Sequence, residues 1–262
     1  MTQTIVGNIY DHPQYYDILF GADWRAELRF LTGLFARHVQ RRVRRVFEPA
    51  CGTGRLLVRL GREGYQVAGN DLNRRAIEYC NERLVQAGLP ATAVVGDMSN
   101  FTLRRPVDAC FNLINSFRHL TTEPAALGHL QCIAGALAPG GIYALGLHLM
   151  PTEGQPLETE TWKARRGSIS VTSHMATTSV DIRRRAERIS LRFDVRTPKE
   201  RLRLLDEFTF RTYTLAQAQK LLAKVPALEC VATYDFLHDL SSPIELGPDT
   251  QDVIFILRKI KE

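Results

Sequence analysis

The sequence reads as an α/β protein: a mostly parallel sheet covered by helices on both faces, with an antiparallel β appendage inserted after the fifth strand. Three observations predict this. Short apolar runs alternate with stretches of helical periodicity between residues 43 and 149, the pattern of a sheet buried on both sides. Glycine or a polar residue ends these runs, at CGTG (51–54), Asn70-Asp71, Gly96-Asp97 and Phe111-Asn112. From residue 157 the pattern changes to polar alternation, in the runs LETETWKA, SISVTSHM, RISLRFDV and RLRLLDEFTF, punctuated by Gly167 and Pro198.

Taken in order, residues 12–22, HPQYYDILFGA, form a short aromatic segment ending near a glycine. Leu28, Leu31, Leu34 and Phe35 then give one apolar face to a helix over 24–37. VRRVFEPA predicts the first strand, the CGTG turn follows, and a helix begins near Arg55. YQVAG is the second strand, and the next helix spans 73–87, closed by Gly88 and Pro90. ATAVV and residues 107–112 supply strands three and four. A helix over 122–137 stops at Pro139-Gly140-Gly141, and 142–149 is strand five. After the appendage come a helix over 214–224 and two closing strands, 228–236 and 253–257. The expected division is a lid and core over 1–156, an acceptor-side insertion over 157–211, and the closing helix and strands over 212–262.

With 262 residues, 45% hydrophobic and 24% charged, the chain can bury a sizeable core. No apolar run is long enough to span a membrane, and the first residues lack the basic-then-apolar order of a secretory signal. The five cysteines, at 51, 80, 110, 132 and 230, are scattered and form no CxxC pair. That disfavours zinc or a disulfide framework and suits a reducing, cytoplasmic setting. No HExxH or EF-hand pattern is present, so no metal is expected. The net charge of +6 draws on the basic run 37–45 and on Arg183, Arg184, Arg185 and Arg188. Such runs permit nucleic-acid contact but do not require it.

The chemistry concentrates where the parallel strands end, the edge at which such sheets bind ligands. In FEPACGTG, glycines allow a tight turn and close approach of a ligand. A dinucleotide is disfavoured, because Leu57 stands where a third glycine belongs and Glu48 would meet a pyrophosphate. Asp71, 19 residues beyond Gly52, suits both hydroxyls of a ribose. Asp97 can accept from an adenine amino group, with Met98 against the ring. Each acidic residue alone could be a helix cap; four polar strand ends together point to a ligand.

FEPACGTGR, GNDLN, VVGDMSNF and VDACFNLINSF, in this order, resemble the motif set of the class I S-adenosylmethionine-dependent methyltransferases. The resemblance covers residues 10–150 and implies a seven-stranded Rossmann-like sheet. It implies that Glu48 lies near the methionine amino group and that Ala50, Gly52 and Gly54 form the loop beneath the methionine and ribose. It further implies ribose contact by Asp71, adenine contact by Leu72, Asp97 and Met98, and Asn112 near the methionine end. Cys51 is then a small filler in that loop, since no paired base accompanies it.

The acceptor side is less determined. Tyr15, Tyr16 and the following apolar residues either pack the first helix or close over the cofactor. Small-molecule methyltransferases of the amine- and sugar-modifying kind have a similar tyrosine-rich opening. This points first to Tyr16, then Tyr15, with Tyr10 a further candidate. In the same group a histidine often follows the fourth strand, which makes His119 a candidate general base. It could equally bond a backbone group at a helix start. The group's usual glycine before it is replaced here by Arg118, which could itself meet an acidic acceptor. Trp162, His174 and Arg211 are candidate pocket residues from the appendage, which could alternatively serve a homodimer. The favoured reading is methyl transfer to a nitrogen or oxygen of a small molecule, with a tilt toward an amine such as an amino sugar. RNA or another nucleic acid and protein acceptors are the rivals. The first lacks an Asn/Asp-Pro-Pro-aromatic loop and a Pro-Cys pair, and the second has no distinguishing feature.

Overall fold

The computed structural model describes residues 2–21, 24–150 and 159–260. Strand β1 (Thr2–Val6) is followed by a 3-10 turn at Ile9–Asp11 and helices α1 (Pro13–Phe20) and α2 (Trp24–His38). Alternation then builds the core: β2 (Arg45–Pro49), α3 (Arg55–Arg62), β3 (Gln66–Asp71), α4 (Arg74–Gln86) and β4 (Ala93–Val95). It continues through β5 (Val107–Asn112), a 3-10 turn at Ser116–His119, α5 (Glu123–Ala136) and β6 (Leu137–His148). The second sheet follows with β7 (Thr159–Arg166), β8 (Ile169–Asp181), β9 (Ala186–Arg196) and β10 (Arg201–Arg211). Helix α6 (Leu215–Leu222) and strands β11 (Leu228–Tyr234) and β12 (Asp252–Lys259) return to the core.

The main sheet has seven strands in the order β11-β12-β6-β5-β2-β3-β4. Strands β2 to β6 pair in parallel, and β12 inserts antiparallel between β6 and β11. This is the Rossmann-like, mostly parallel architecture the motifs imply. Both faces are covered. Helices α2, α3 and α4 bury Leu31, Leu34, Leu57, Leu60 and Leu84 on one face; α5 and α6 bury Leu130, Ile133 and Leu221 on the other. Local chemistry starts the helices where the sequence does. Asn73 accepts from the Ala76 N–H, Thr122 from Ala125, and Thr214 with Gln217 forms a reciprocal capping box.

Four strands of the second sheet are antiparallel, in the order β10-β9-β8-β7, as the polar alternation predicts. Two details differ from the sequence reading. The N-terminal residues, grouped above with the core, form β1, which pairs in parallel with β10 and extends the second sheet. Its five residues are mostly exposed, so they carry no burial pattern to read. Strand β6 begins at Leu137, directly after α5, because Leu137 already pairs with Val107. The expected boundary at 156/157 lies outside the described residues.

One buried carboxylate joins the three parts of the fold. Asp17 on α1 is 1% exposed and faces Arg83 of α4 at 2.7 Å and Arg166 of β7 at 2.8 Å. Thr53, in the turn after β2, donates its hydroxyl to the same carboxylate at 3.2 Å. A second clamp joins Arg118 to Glu187 of β9, with the Arg118 guanidinium over the Phe210 ring. Removing one partner from a buried ion pair leaves the other charge uncompensated. Asp17→Ala should therefore lower the unfolding free energy by about 3 kcal/mol, read by urea denaturation. A loss below about 0.5 kcal/mol, the range of ordinary surface changes, would rule out this role for the carboxylate.

Candidate active site

A cavity of about 1180 Å³ lies between the carboxyl ends of the parallel strands and the second sheet. Each core strand ends in a turn that lines it. Ala50, Gly52 and Thr53 follow β2, Asp71 and Leu72 close β3, Gly96 and Met98 follow β4, and Ile114, Asn115 and Ser116 follow β5. Ala50 and Gly52 adopt positive φ (51° and 50°), which bends the chain back beneath the cavity. Gly54 also has positive φ (64°), and the Cys80 sulfur occupies the space a side chain there would need.

Asp71 organises this floor. Its two carboxylate oxygens accept from the Gly52 N–H at 2.9 Å and the Asn73 N–H at 2.8 Å. Burial pushes its pKa up, and those two backbone donors oppose the rise. Three acceptor oxygens at the strand ends are buried with no hydrogen-bond partner among the described residues: Glu48 Oε2, Asn70 Oδ1 and Asn112 Oδ1. Burial drives the Glu48 carboxyl well above the usual carboxylate range, against the pull of Arg55. Unsatisfied buried acceptors in one place call for a donor from outside the chain.

The opposite wall is aromatic. Tyr10 and Tyr16 lie 5.3 Å apart, Tyr16 and Phe20 4.5 Å, and Phe20 and Trp162 6.2 Å, ring centre to ring centre. His119 packs against Phe208 and Phe210 at 5.2 and 4.8 Å and shares a 3.2 Å hydrogen bond with the Tyr10 hydroxyl. Burial, then Arg118, lowers the His119 pKa to about 4. Burial raises the Tyr16 pKa to about 12 and that of Tyr10 well above its ordinary value. At neutral pH the ring of His119 is therefore uncharged and both phenols keep their protons.

Of the residues singled out in the sequence, Tyr16, Ala50, Gly52, Asp71, Leu72, Met98, His119 and Trp162 line the cavity together. Others lie elsewhere. Tyr15 is buried among Ile9, Ile18 and the second sheet. Gly54 caps the start of α3, and Asp97 bends back to accept from the Ser99 N–H and hydroxyl. Glu48 and Asn112 sit beneath the floor, where Asn112 Nδ2 donates to Pro49 O at 2.8 Å. Arg118 is turned into the ion pair with Glu187, Arg211 bonds Thr121 O and pairs with Glu123, and His174 contacts Thr161 and Asp194. For Arg118 the reason is physical: a guanidinium this buried needs a carboxylate, and β9 supplies one. Cys51 is buried, its pKa raised by its hydrogen bond with Cys80 and by burial. Sequence reasoning missed Asp206, Glu207, His148 and Asp252, which also line the cavity. The first two lie on β10 inside an alternating strand, and the last pair is joined only by strand pairing.

The basic run 37–45 lies at the far end of the sheet, before β2. There Asp108 accepts from Arg41 and from the backbone N–H groups of Arg44 and Arg45. No helix of the described residues is long and apolar enough to cross a membrane.

The seven-stranded sheet with its cavity at the strand ends has the fold of the class I S-adenosylmethionine-dependent methyltransferases, and in fold the chain is close to small-molecule N-methyltransferases. Residues 46–141 match the methyltransferase domain family. Over 135 residues the chain is 28% identical to dTDP-4-amino-2,3,4,6-tetradeoxy-D-glucose N,N-dimethyltransferase of Saccharopolyspora spinosa, covering 50% of this chain and 52% of that protein. The chain spans about half the length of the curated relatives it matches. The crystal structure of an S-adenosylmethionine-dependent methyltransferase from Clostridium acetobutylicum superposes with a TM-score of 0.79 at 18% identity, over 97% of this chain and 100% of that one. CalS10, an amino pentose methyltransferase from Micromonospora echinaspora solved with S-adenosylmethionine bound, gives 0.73 at 18% identity, over 99% and 100%. At these identities the likeness to the solved structures is one of fold.

Two buried histidines make the fold sensitive to acid. His129, between Met98 O at 2.9 Å and the Tyr143 hydroxyl at 2.8 Å, is lowered by burial to about 4, like His119. The unfolded chain takes up these protons near pH 6.5 and the folded one only near 4, so stability should fall as pH drops through that window. Denaturation midpoints from pH 7.5 to 4.5 check this; His129→Gln should flatten the slope, and an unchanged slope would remove His129 as a cause.

Proposed function

We propose that the chain transfers a methyl group from S-adenosylmethionine to an amino nitrogen of a small molecule, in the cytoplasm. One observation carries the amine. Asp71, Glu160, Asp206, Glu207 and Asp252 line the cavity, and no lysine or arginine does among the described residues, although the chain carries a net charge of +6. Carboxylates beside tyrosine, phenylalanine and tryptophan faces attract cations, and the attraction grows as water is displaced. A sulfonium and an ammonium both fit such a lining. The placement of the basic run at the opposite end of the sheet favours a small acceptor over nucleic acid. The Saccharopolyspora relative is named for an amino sugar nitrogen and CalS10 for an amino pentose, which agrees with this reading. Free thiols at all five cysteines agree with a reducing compartment.

In this reading Ala50, Gly52 and Thr53 cradle the cofactor. Asp71 meets the ribose, and Leu72, Met98 and the Gly96-Asp97 turn border the adenine. The unpartnered oxygens of Glu48 and Asn112 take up the methionine ammonium, through water or the intervening backbone. When bound, the cofactor supplies an electrophilic methyl carbon on a positively charged sulfur. The chain's part is to align the amine and exclude water. Tyr16 and Tyr10, protonated at neutral pH, donate hydrogen bonds, and uncharged His119 borders the acceptor.

The test is release of S-adenosylhomocysteine with a panel of amines, including amino sugars, beside alcohols, RNA and peptides. Turnover with an amine is expected; turnover only with RNA or a peptide overturns the reading. Asp206→Asn should raise the amine KM about tenfold, or ~1.4 kcal/mol, while leaving S-adenosylhomocysteine affinity unchanged. Asp71→Ala should weaken S-adenosylhomocysteine binding at least about tenfold, the scale of a lost hydrogen bond to a charged group. Equal calorimetric affinity in a folded variant removes Asp71 from the ribose site.

A further inference from the structure

The cavity holds a second histidine, placed quite differently from His119. His148 ends β6, and its Nδ1 lies 2.8 Å from Asp252 Oδ1 at the start of β12. The two residues are direct partners across the antiparallel β6–β12 ladder, and both line the cavity. The His148 backbone is fixed as well: its N–H donates to Asn115 Oδ1 at 2.6 Å. That bond depends on a close approach two residues earlier. At Gly146 any side chain would press into the Leu113 carbonyl, so only glycine lets β6 lie so close to the segment leaving β5.

Chemistry sets the tautomer. An ionised carboxylate only accepts, so the Nδ1 facing Asp252 carries the proton. The neutral ring then keeps its lone pair on Nε2, which has no hydrogen-bond partner among the described residues. His119 offers less. Its Nε2 is engaged by Tyr10, its ring is enclosed by Phe208 and Phe210, and no carboxylate contacts it. Of the groups packed against β6, Arg118 is taken by Glu187 and His129 by Tyr143. Glu123 is held by Lys224, and Asp108 sits at the opposite end of β5 with Arg41. Asp252 is thus the charged group that faces His148.

We infer that His148, oriented by Asp252, is the general base that takes the proton from the acceptor amine. The inference rests on the methyltransferase reading above. An amine that enters as an ammonium has no lone pair to offer. In the step, the N–H bond breaks and its electron pair stays on the amine nitrogen. The proton moves to His148 Nε2, and the imidazolium formed is balanced by the Asp252 carboxylate across Nδ1–H. The proton then leaves to water, to which the His148 side chain is 22% exposed. A carboxylate holding a histidine in its useful tautomer is the arrangement found in hydrolytic triads, used here for a nitrogen acceptor.

The experiment compares unmutated chain, His148→Gln and Asp252→Asn, each checked for a cooperative thermal transition. With an amine turned over by the unmutated chain, His148→Gln should lower kcat about 100-fold and remove the fall in kcat on the acid side of the pH profile. Asp252→Asn should lower kcat less and displace that fall, with cofactor affinity unchanged in both. Wild-type kcat and pH profile in His148→Gln overturn the inference. A second readout needs no turnover. Nitrogen-15 NMR of the His148 ring at pH 8 should give the Nδ1–H tautomer, mixed in Asp252→Asn; an Nε2–H ring in the unmutated chain overturns it equally. Failure of the unmutated chain to methylate any amine concerns the broader reading, which the amine panel tests by itself.

Discussion

Asp17 is the point on which the three parts of this molecule turn. It lies on a short N-terminal helix, buried, and its carboxylate is shared by an arginine from the core, an arginine from the second sheet and a threonine from the turn beneath the cavity. A buried carboxylate is costly unless each of its oxygens is matched. Arg83 completes the circuit by donating to the Thr53 carbonyl at 2.9 Å. The helix bearing Tyr16 and Phe20 is thereby held against both sheets at once. The aromatic wall of the cavity inherits its position from an ion pair outside the cavity.

The second sheet is more than a cover. Its inner face packs Leu191, Phe193, Leu202 and Leu204 against Ile9, Tyr15 and Ile18, which rigidifies the N-terminal segment. Beyond that cluster β10 turns Asp206, Phe208 and Phe210 to the cavity. Asp206 also accepts the Ile9 N–H at 2.9 Å, so one carboxylate both anchors the N-terminal turn and colours the cavity. In the proposed reading the strand ends of the core build the cofactor side, and the second sheet with the N-terminal segment builds most of the acceptor side. On that reading the two sides can vary separately in sequence, as a motif-bearing core beside a second sheet with no motif would require.

The two cavity histidines illustrate how position decides chemistry. His119 is surrounded by rings and lowered to about 4, so it stays neutral and hydrogen-bonds Tyr10. His148 is half-exposed and faces a carboxylate. Identical side chains about 30 residues apart thus offer a hydrogen-bonding surface in one case and a poised nitrogen in the other. What separates them is the burial and the partner, neither of which is local in the chain.

Much of the architecture was legible in the sequence because it is written in local pattern. Apolar runs, the CGTG turn and the capping residues Asn73, Thr122 and Thr214 act within a few neighbours, so their spacing carried the sheet, its helices and the strand-end loops. Asp71 and the turn it steadies were legible for the same reason. The antiparallel second sheet could be read from alternation, though β1 could not, since five mostly exposed residues have no buried face to display. Tertiary structure alone decided the rest. Arg118 looked like a pocket residue until β9 brought Glu187 to it; His174 was likewise claimed by β7 and β9, and Arg211 by Thr121 and Glu123 at the start of α5. His148 and Asp252 lie 104 residues apart and become a pair only because β12 inserts antiparallel beside β6. The acidity of the cavity within a basic chain is of the same kind: charge totals are summed along the sequence, but a ligand feels only the side chains that folding gathers around it.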